Sequence, residues 1–217
     1  MTKLCIFDLD GTLTDTIPAI SHFGNSALSK FGFPEIPENR YKILVGNGRD
    51  LLIHRMLSEV DADTEENYIN VGKAYDAGYE ADPLYKTAPY DGIMELLDNL
   101  KKSGIKIAVL TNKPDNVAQD VVKLFFGDRF DLIVGQKPEM KIKPDPEGAF
   151  YIAKELGAEI SECVFIGDTY VDISTGKNAG MTAIGVLWGF RDEAELSGAG
   201  ADYIVAHPAE ISDIILK

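Results

Sequence analysis

The chain has 217 residues, 45% of them hydrophobic and 26% charged, and a formal net charge of −14. That is enough chain to bury a core in one large or two smaller domains, and so acidic a surface repels phosphate backbones and anionic membranes, which argues against nucleic acid and lipid as partners. No apolar run approaches the roughly 18 residues of a membrane span, the first fifteen or so residues lack the basic start and cleavage site of a secretory leader, and the only cysteines, Cys5 and Cys163, lie in apolar runs as reduced core thiols; the expectation is a cytoplasmic, enzyme-like protein.

The first apolar run, Leu4–Leu9, carries Asp8 and continues into Asp10-Gly11-Thr12. It predicts a buried strand ending in a carboxylate pair. Two like charges so close cannot both stay ionised without compensation, so either a cation neutralises them or one holds a proton. Residues 16–86 then contain no convincing strand. Ile17–Phe31, Arg49–Val60 and Thr64–Tyr79 read as helices, punctuated by Phe33-Pro34-Glu35-Ile36-Pro37, and Asp63-Thr64-Glu65-Glu66 suits the start of the last. So long a helical block exceeds an ordinary connection and is expected to be a small inserted domain, leaving 1–15 and 87–217 as the core.

From residue 92 onward the pattern alternates. Strands are expected at Lys106–Leu110, Leu132–Val134, Cys163–Ile166, Thr182–Val186 and Tyr203–Val205. Helices are expected at Gly92–Lys102, Asn116–Phe126, Glu147–Leu156, Asp172–Ala179 and Ala209–Leu216. Such alternation predicts an α/β fold with a doubly wound parallel sheet and helices on both faces.

Open parallel sheets bind ligands beyond the carboxyl ends of their strands. Those ends lead into Asp8 and Asp10, then Thr111-Asn112-Lys113, then Gly167-Asp168-Thr169-Tyr170-Val171-Asp172, while Lys143-Pro144-Asp145-Pro146 precedes a helix. Any one of these has a plain structural reading as a turn, a cap or a solvated loop lysine. Together they are chemically complementary. Asp8 and Asp168, with a backbone carbonyl, are hard oxygen donors suited to Mg²⁺, and no cluster of Cys or His offers a softer site. A carboxylate can attack phosphorus to form an acyl phosphate. Mg²⁺, Lys143, Thr111, Asn112 and backbone N–H groups around Gly11 could neutralise the phosphoryl oxygens. Asp10 could give a proton to the leaving oxygen and later take one from water. Asp172 could hold a metal-bound water or orient Lys143.

Asp8-Leu9-Asp10-Gly11-Thr12, Leu110-Thr111-Asn112, Lys143-Pro144 and Gly167-Asp168-Thr169-Tyr170-Val171-Asp172 resemble, in order, the four motifs of the haloacid dehalogenase-like hydrolase superfamily. The resemblance implies a Rossmann-like core with a helical cap inserted after the first motif. It implies Asp8 as nucleophile, Asp10 as general acid and base, Thr111 and Lys143 as phosphate stabilisers, and Mg²⁺ on Asp8, the Asp10 carbonyl and Asp168. Lys137 and Lys141 also lie in that loop; Lys143 is chosen because Pro-Asp-Pro follows it.

Within the superfamily the chain is most similar to phosphoglycolate phosphatases, through Asp15-Thr16, Thr111-Asn112-Lys113-Pro114, Lys143-Pro144-Asp145-Pro146 and Val45-Gly46-Asn47-Gly48-Arg49. The last segment resembles a substrate-specificity loop, so Gly46, Asn47 and Arg49 join Gly11 and Asn112 as expected substrate contacts; the alternative for Arg49 is a solvated residue on a helix–helix turn. Trp188 is expected to pack near the mouth of the site rather than to contact substrate; His22, His54 and His207 match no motif, and His22 and His54, on cap helices, are expected to pack or lie at the surface. The function expected is Mg²⁺-dependent hydrolysis of a small anionic phosphorylated metabolite such as 2-phosphoglycolate, by a monomer or homodimer whose cap excludes water. Rival readings are a phosphomutase, although the similar mutases usually carry Glu-Asp where this chain has Gly167-Asp168, a pyrophosphatase or nucleotide phosphatase, and a non-catalytic binding protein of the same fold.

Overall fold

Strand β1 (Leu4–Phe7) is buried at every position, as a run without alternation requires when both faces of its sheet are covered. The computed structural model in which it lies describes residues 1–82 and 84–216. Two compact units divide the chain: Met1–Asp15 with Pro89 onward, and Thr16–Ala88. The two-residue strands β2 (Thr14–Asp15) and β3 (Ala88–Pro89) lie in sequence where the chain passes between them.

The first unit continues with α5 (Ile93–Lys102), β4 (Lys106–Pro114), α6 (Asp115–Phe126), β5 (Leu132–Gln136), α7 (Glu147–Glu155) and β6 (Cys163–Gly167). It ends with α8 (Tyr170–Ala179), β7 (Thr182–Val186), α9 (Glu193–Gly198), β8 (Tyr203–Val205) and α10 (Pro208–Ile215). The six longer strands form one sheet in the order β5-β4-β1-β6-β7-β8, with parallel pairing throughout. The order reverses at β1, so the carboxyl ends of β1, β4 and β6 meet at the switch point where open α/β sheets bind ligands.

Alternate residues of each strand serve opposite faces. Leu4, Ile6, Ala108, Leu110, Cys163 and Phe165 pack with Ala149, Ile152 and Ala153 of α7. Cys5, Phe7, Ile107 and Val109 are buried on the other face, where Phe7 meets Phe130 edge-on at 6.4 Å between ring centroids. Helix α5 buries Ile93, Leu96, Leu97 and Leu100, a spacing that lines one helical stripe. Both cysteines are unpaired and buried.

The second unit holds α1 (Ile17–Lys30), α2 (Glu38–Leu44), α3 (Arg49–Glu59) and α4 (Glu65–Ala81). Thr64 caps α4 by accepting from the Asn67 N–H at 3.2 Å, as its acidic start suggested. Helix α2 was not visible in the sequence, because seven residues are too few for periodicity to register; it buries Tyr41 and Leu44. Helix α9 was missed for the same reason. Strand β4 also runs past Leu110 to Pro114, with a register shift against β5 over those residues, so Thr111-Asn112-Lys113 lies within the strand rather than after it. Among the described residues no helix is long and apolar enough to cross a membrane.

Tyr41 anchors the helical unit. It is fully buried, and its hydroxyl donates to Asn25 Oδ1 at 2.9 Å. The Asn25 amide in turn pairs with both the N–H and the C=O of Ile36, at 2.8 and 2.9 Å. The Tyr41 ring reaches this position by crossing α1 at Gly24, where a Cβ would sit 2.5 Å from the phenolic oxygen. Gly24→Ala gains up to about 1 kcal/mol of helix propensity but overpacks the contact at roughly 1–3 kcal/mol. A lower urea midpoint is therefore expected for Gly24→Ala, with partial recovery when Tyr41→Phe removes the obstructing hydroxyl; a raised midpoint in the single variant would show that Tyr41 moves aside without cost.

Candidate active site

Beyond β1 the chain doubles back within a few residues. Leu13 and Thr14 both donate their N–H to Leu9 O at 3.0 Å, and Gly11 donates to Thr14 O at 2.8 Å. Gly11 has φ of +90°, and a Cβ there would lie 2.3 Å from Asp168 Oδ2. Only glycine fits a positive φ so close to a carboxylate from another segment. The Thr12 hydroxyl donates to Asp168 Oδ1 at 3.0 Å, and the Phe190 N–H donates to Asp168 Oδ2 at 2.8 Å. The Trp188 indole N–H donates to Thr12 O at 3.0 Å, fastening the segment after β7 to the turn after β1.

At the end of β6, Gly167 lies against Asp172, whose Cβ would be 2.1 Å from a Cβ at Gly167. Thr169 and Asp172 form a capping box on α8: the Thr169 N–H and hydroxyl both donate to Asp172 Oδ2, at 3.0 and 2.9 Å. That leaves Asp172 Oδ1 to accept from Lys143 Nζ at 2.6 Å. Lys143 Nζ also lies 2.8 Å from Asp8 Oδ1, although that oxygen receives no directed hydrogen bond. The lysine backbone is gripped by Asn112, which accepts from the Lys143 N–H at 2.8 Å and donates to its carbonyl at 3.1 Å. Asn112, expected from the sequence to meet substrate, thus has both ends of its amide on the loop that carries Lys143.

Asp8, Asp168 and Asp172 each present a carboxylate oxygen within 4.8 Å of the others, and all three are buried. Burial pushes the Asp8 carboxyl up to about 7, the Lys143 ammonium opposing it and Asp172 adding to it. Burial likewise holds Asp168 well above the usual carboxylate range, with Asp172 and Asp8 contributing in the same direction. Burial alone would lower Lys143, but the Asp172 and Asp8 carboxylates carry it above the ordinary lysine value. Three buried carboxylates, two of them on one ammonium, are short of positive charge. The donors are all hard oxygens, Asp8 Oδ1 lacks a directed donor, and the Gly11 cradle leaves the Asp168 carboxylate uncrowded. This set fits a hard divalent cation.

Asp10 is placed differently. Its side chain is partly exposed and both its oxygens accept from Lys113 Nζ, at 3.0 and 3.2 Å. The sequence reading did not pick out Lys113 as a site residue; its only signal was its position two residues after Thr111. The buried Thr111 hydroxyl accepts from the Lys113 N–H at 3.3 Å.

In the helical unit, Gly46 and Gly48 take φ of +110° and +86° in the turn between α2 and α3. Arg55 braces that turn, donating to Leu44 O and Asn47 Oδ1, each at 2.9 Å. Arg49 forks onto Asp76, at 2.8 Å from Nε and 2.6 Å from Nη2, while Nη1 reaches Asp50 at 3.0 Å and the Tyr68 hydroxyl at 3.3 Å. The carboxylate that its fork grips is therefore one of the unit's own. His54 stacks on Tyr68 and pairs with Asp63, His22 stacks on Tyr85, and His207 stands at the start of α10.

The chain belongs to the haloacid dehalogenase-like hydrolases, whose family model matches residues 5–186. It is 32% identical to a phosphoglycolate phosphatase of Mannheimia succiniciproducens, over 98% of each chain. It is 31% identical to an N-acetylmuramic acid 6-phosphate phosphatase of Pseudomonas aeruginosa, over 98% of this chain and 94% of that one. A solved structure from Lactobacillus delbrueckii subsp. bulgaricus superposes with a TM-score of 0.95 at 30% identity, covering 99% of both chains. That of a predicted phosphoglycolate phosphatase from Haemophilus somnus gives 0.92 at 29% identity, over 98% and 97%.

The raised Asp8 carboxyl has a measurable sign. Its folded value near 7 exceeds the ordinary 3.8, so in metal-free protein its contribution to stability is complete below about 4 and is lost as pH rises toward 7. Measured in a chelator, the thermal midpoint of the wild type should fall relative to Asp8→Asn across that window, and Mg²⁺ should reverse the loss. A wild type that gains on Asp8→Asn with rising pH would show that Lys143, not burial, dominates Asp8.

Proposed function

We propose that this hydrolase is a Mg²⁺-dependent phosphatase that cleaves a small phosphomonoester, such as 2-phosphoglycolate, through an aspartyl-phosphate intermediate. The observation that carries the reading is the buried set of Asp8, Asp168 and Asp172, with the Lys143 ammonium on Asp8 and Asp172 and with the Asp10 side chain held by Lys113 instead. Asp8 and Asp168, with the Asp10 carbonyl, would hold Mg²⁺, which would supply positive charge for the phosphoryl oxygens and keep Asp8 ionised at neutral pH.

In this reading an Asp8 oxygen attacks phosphorus while the bond to the leaving oxygen breaks. Asp10 gives its proton to that oxygen, then, as a carboxylate, takes one from the water that attacks the acyl phosphate. Lys143 and the Thr111 hydroxyl face the phosphoryl oxygens, and the N–H groups of the turn at Gly11 add donors. Asn112 keeps Lys143 in place, and Asp172 orients the ammonium. The glycine at position 167 supports hydrolysis over phosphoryl transfer between sugars, because Asp172 fills the space that a glutamate there would need. The relative of M. succiniciproducens supports 2-phosphoglycolate as the substrate. No role toward substrate is assigned by contact to Gly46, Asn47 or Arg49; the loop that carries them is proposed to set specificity through its backbone, with Arg49 supporting it from Asp76.

Phosphate release should be measured over 2-phosphoglycolate, N-acetylmuramic acid 6-phosphate, sugar phosphates, nucleotides and pyrophosphate, with and without Mg²⁺. Asp8→Asn is expected to lower kcat by at least about 10³-fold, as loss of a nucleophile does. Beryllium fluoride with Mg²⁺ should raise the melting temperature of the wild type and not of Asp8→Asn. Near-normal turnover in Asp8→Asn would sink the mechanism, and preferred release from another substrate would replace 2-phosphoglycolate alone.

A further inference from the structure

We propose that Lys113 is the positioning residue for the Asp10 carboxyl and holds it in line with the leaving group, an inference that rests on the acid and base role given to Asp10 above. Lys113 reaches Asp10 from a different strand, 103 residues further along the chain. Its ammonium contacts both carboxylate oxygens, at 3.0 and 3.2 Å, and its side chain is only 5% exposed against 21% for Asp10. So nearly buried an ammonium is costly to desolvate, and a surface pair of the same length contributes little to stability. The ion pair is better explained by where it puts Asp10.

Asp8 and Asp10 leave the same strand end two residues apart. Asp8 turns into the buried cluster with Lys143, Asp168 and Asp172, whereas Asp10 is drawn toward β4. Lys113 gives the second carboxyl its own cation and its own direction, and so separates the group that attacks from the group that moves protons. The lysine is itself fixed: the register of β4 against β5 shifts between Leu110 and Pro114, and the Thr111 hydroxyl accepts from the Lys113 N–H.

The proton balance is closed. As the bond between phosphorus and the leaving oxygen breaks, its electron pair stays on that oxygen. The Asp10 O–H bond breaks, its proton joins the leaving oxygen, and its electron pair stays on a carboxylate beside the Lys113 ammonium. In the second step that carboxylate takes a proton from water as the water oxygen bonds to phosphorus and the Asp8 acyl–phosphate bond breaks.

Leaving-group dependence separates positioning of an acid from simple phosphate binding or folding. An alkyl leaving group needs the proton, whereas the phenolate of 2,4-dinitrophenyl phosphate departs without it. The wild type, Asp10→Asn, Lys113→Met, Lys113→Gln and Lys113→Arg are compared on 2-phosphoglycolate, or the alkyl phosphomonoester that the phosphate-release screen ranks first, and on 2,4-dinitrophenyl phosphate. The thermal midpoint of each variant is measured alongside. Lys113→Met or Lys113→Gln, whichever folds, should lose kcat/KM on the alkyl ester on the order of tenfold or more beyond its loss on the aryl ester, with KM little changed. Lys113→Arg should restore much of the difference. Equal losses on both esters, or a loss carried by KM, would overturn the inference while Asp10→Asn still discriminates between them. An Asp10→Asn variant that loses equally on both would overturn the acid role of Asp10, and this inference with it.

Discussion

Negative charge concentrated at the carboxyl ends of β1 and β6 is the constraint around which the core unit is arranged. Two unit charges about 5 Å apart repel by roughly 3–4 kcal/mol at an effective dielectric near 20, and Asp8, Asp168 and Asp172 make three such pairs within 4.8 Å. That total is on the scale of a domain's whole stability, about 5–15 kcal/mol. One buried ammonium, Lys143, relieves part of it. Burial, with this repulsion adding to it, raises the carboxyls of Asp8 and Asp168, and a bound cation would oppose both effects. The apolar layers on both faces of the sheet make so unfavourable a cluster tolerable.

The parallel sheet is also what makes the cluster possible. Parallel strands deliver all their carboxyl ends to one edge, and the reversal of strand order at β1 opens a gap there. Within that gap two aspartates from one strand end have different surroundings. Asp8 is buried among carboxylates and its proton is held up to about 7; Asp10 is partly exposed and paired with Lys113. Environment, not residue type, would give the two carboxyl groups the distinct roles proposed for them.

The sheet, its helices and the inserted helical block were legible because long apolar periodicities survive without tertiary knowledge. The residues gathered at the strand ends were legible as well, since strand ends of a parallel sheet are predictably neighbours. The choice of partners was not. Asp10 with Lys113, Asn112 with the Lys143 backbone and Arg49 with Asp76 all join segments far apart in sequence, and each depends on strand order or helix packing that no local pattern encodes. Arg49 is the clearest case. Its place beside two glycines suggested a fork onto a substrate carboxylate or a solvated guanidinium, and α4 brings Asp76 to it. The Thr169–Asp172 capping box, by contrast, is local enough to be read from the spacing of threonine and aspartate.

Two chains of hydrogen bonds converge on the carboxylates, and they explain why residues without chemistry of their own sit in the motifs. One runs from Trp188 through the Thr12 carbonyl and hydroxyl to Asp168; the other runs from Asn112 through the Lys143 backbone and ammonium to Asp172, and on to the Thr169 cap. Each chain ties the segment after one strand to the segment after another. Crowded charges would otherwise drive these loops apart, because a loop can relax where a strand cannot. With their acceptors filled from fixed positions, Asp168 and Asp172 cannot turn away from Asp8. Asp8 Oδ1 has the Lys143 ammonium 2.8 Å away but no directed hydrogen bond, and Asp8 is the one carboxylate of the three that is proposed to attack.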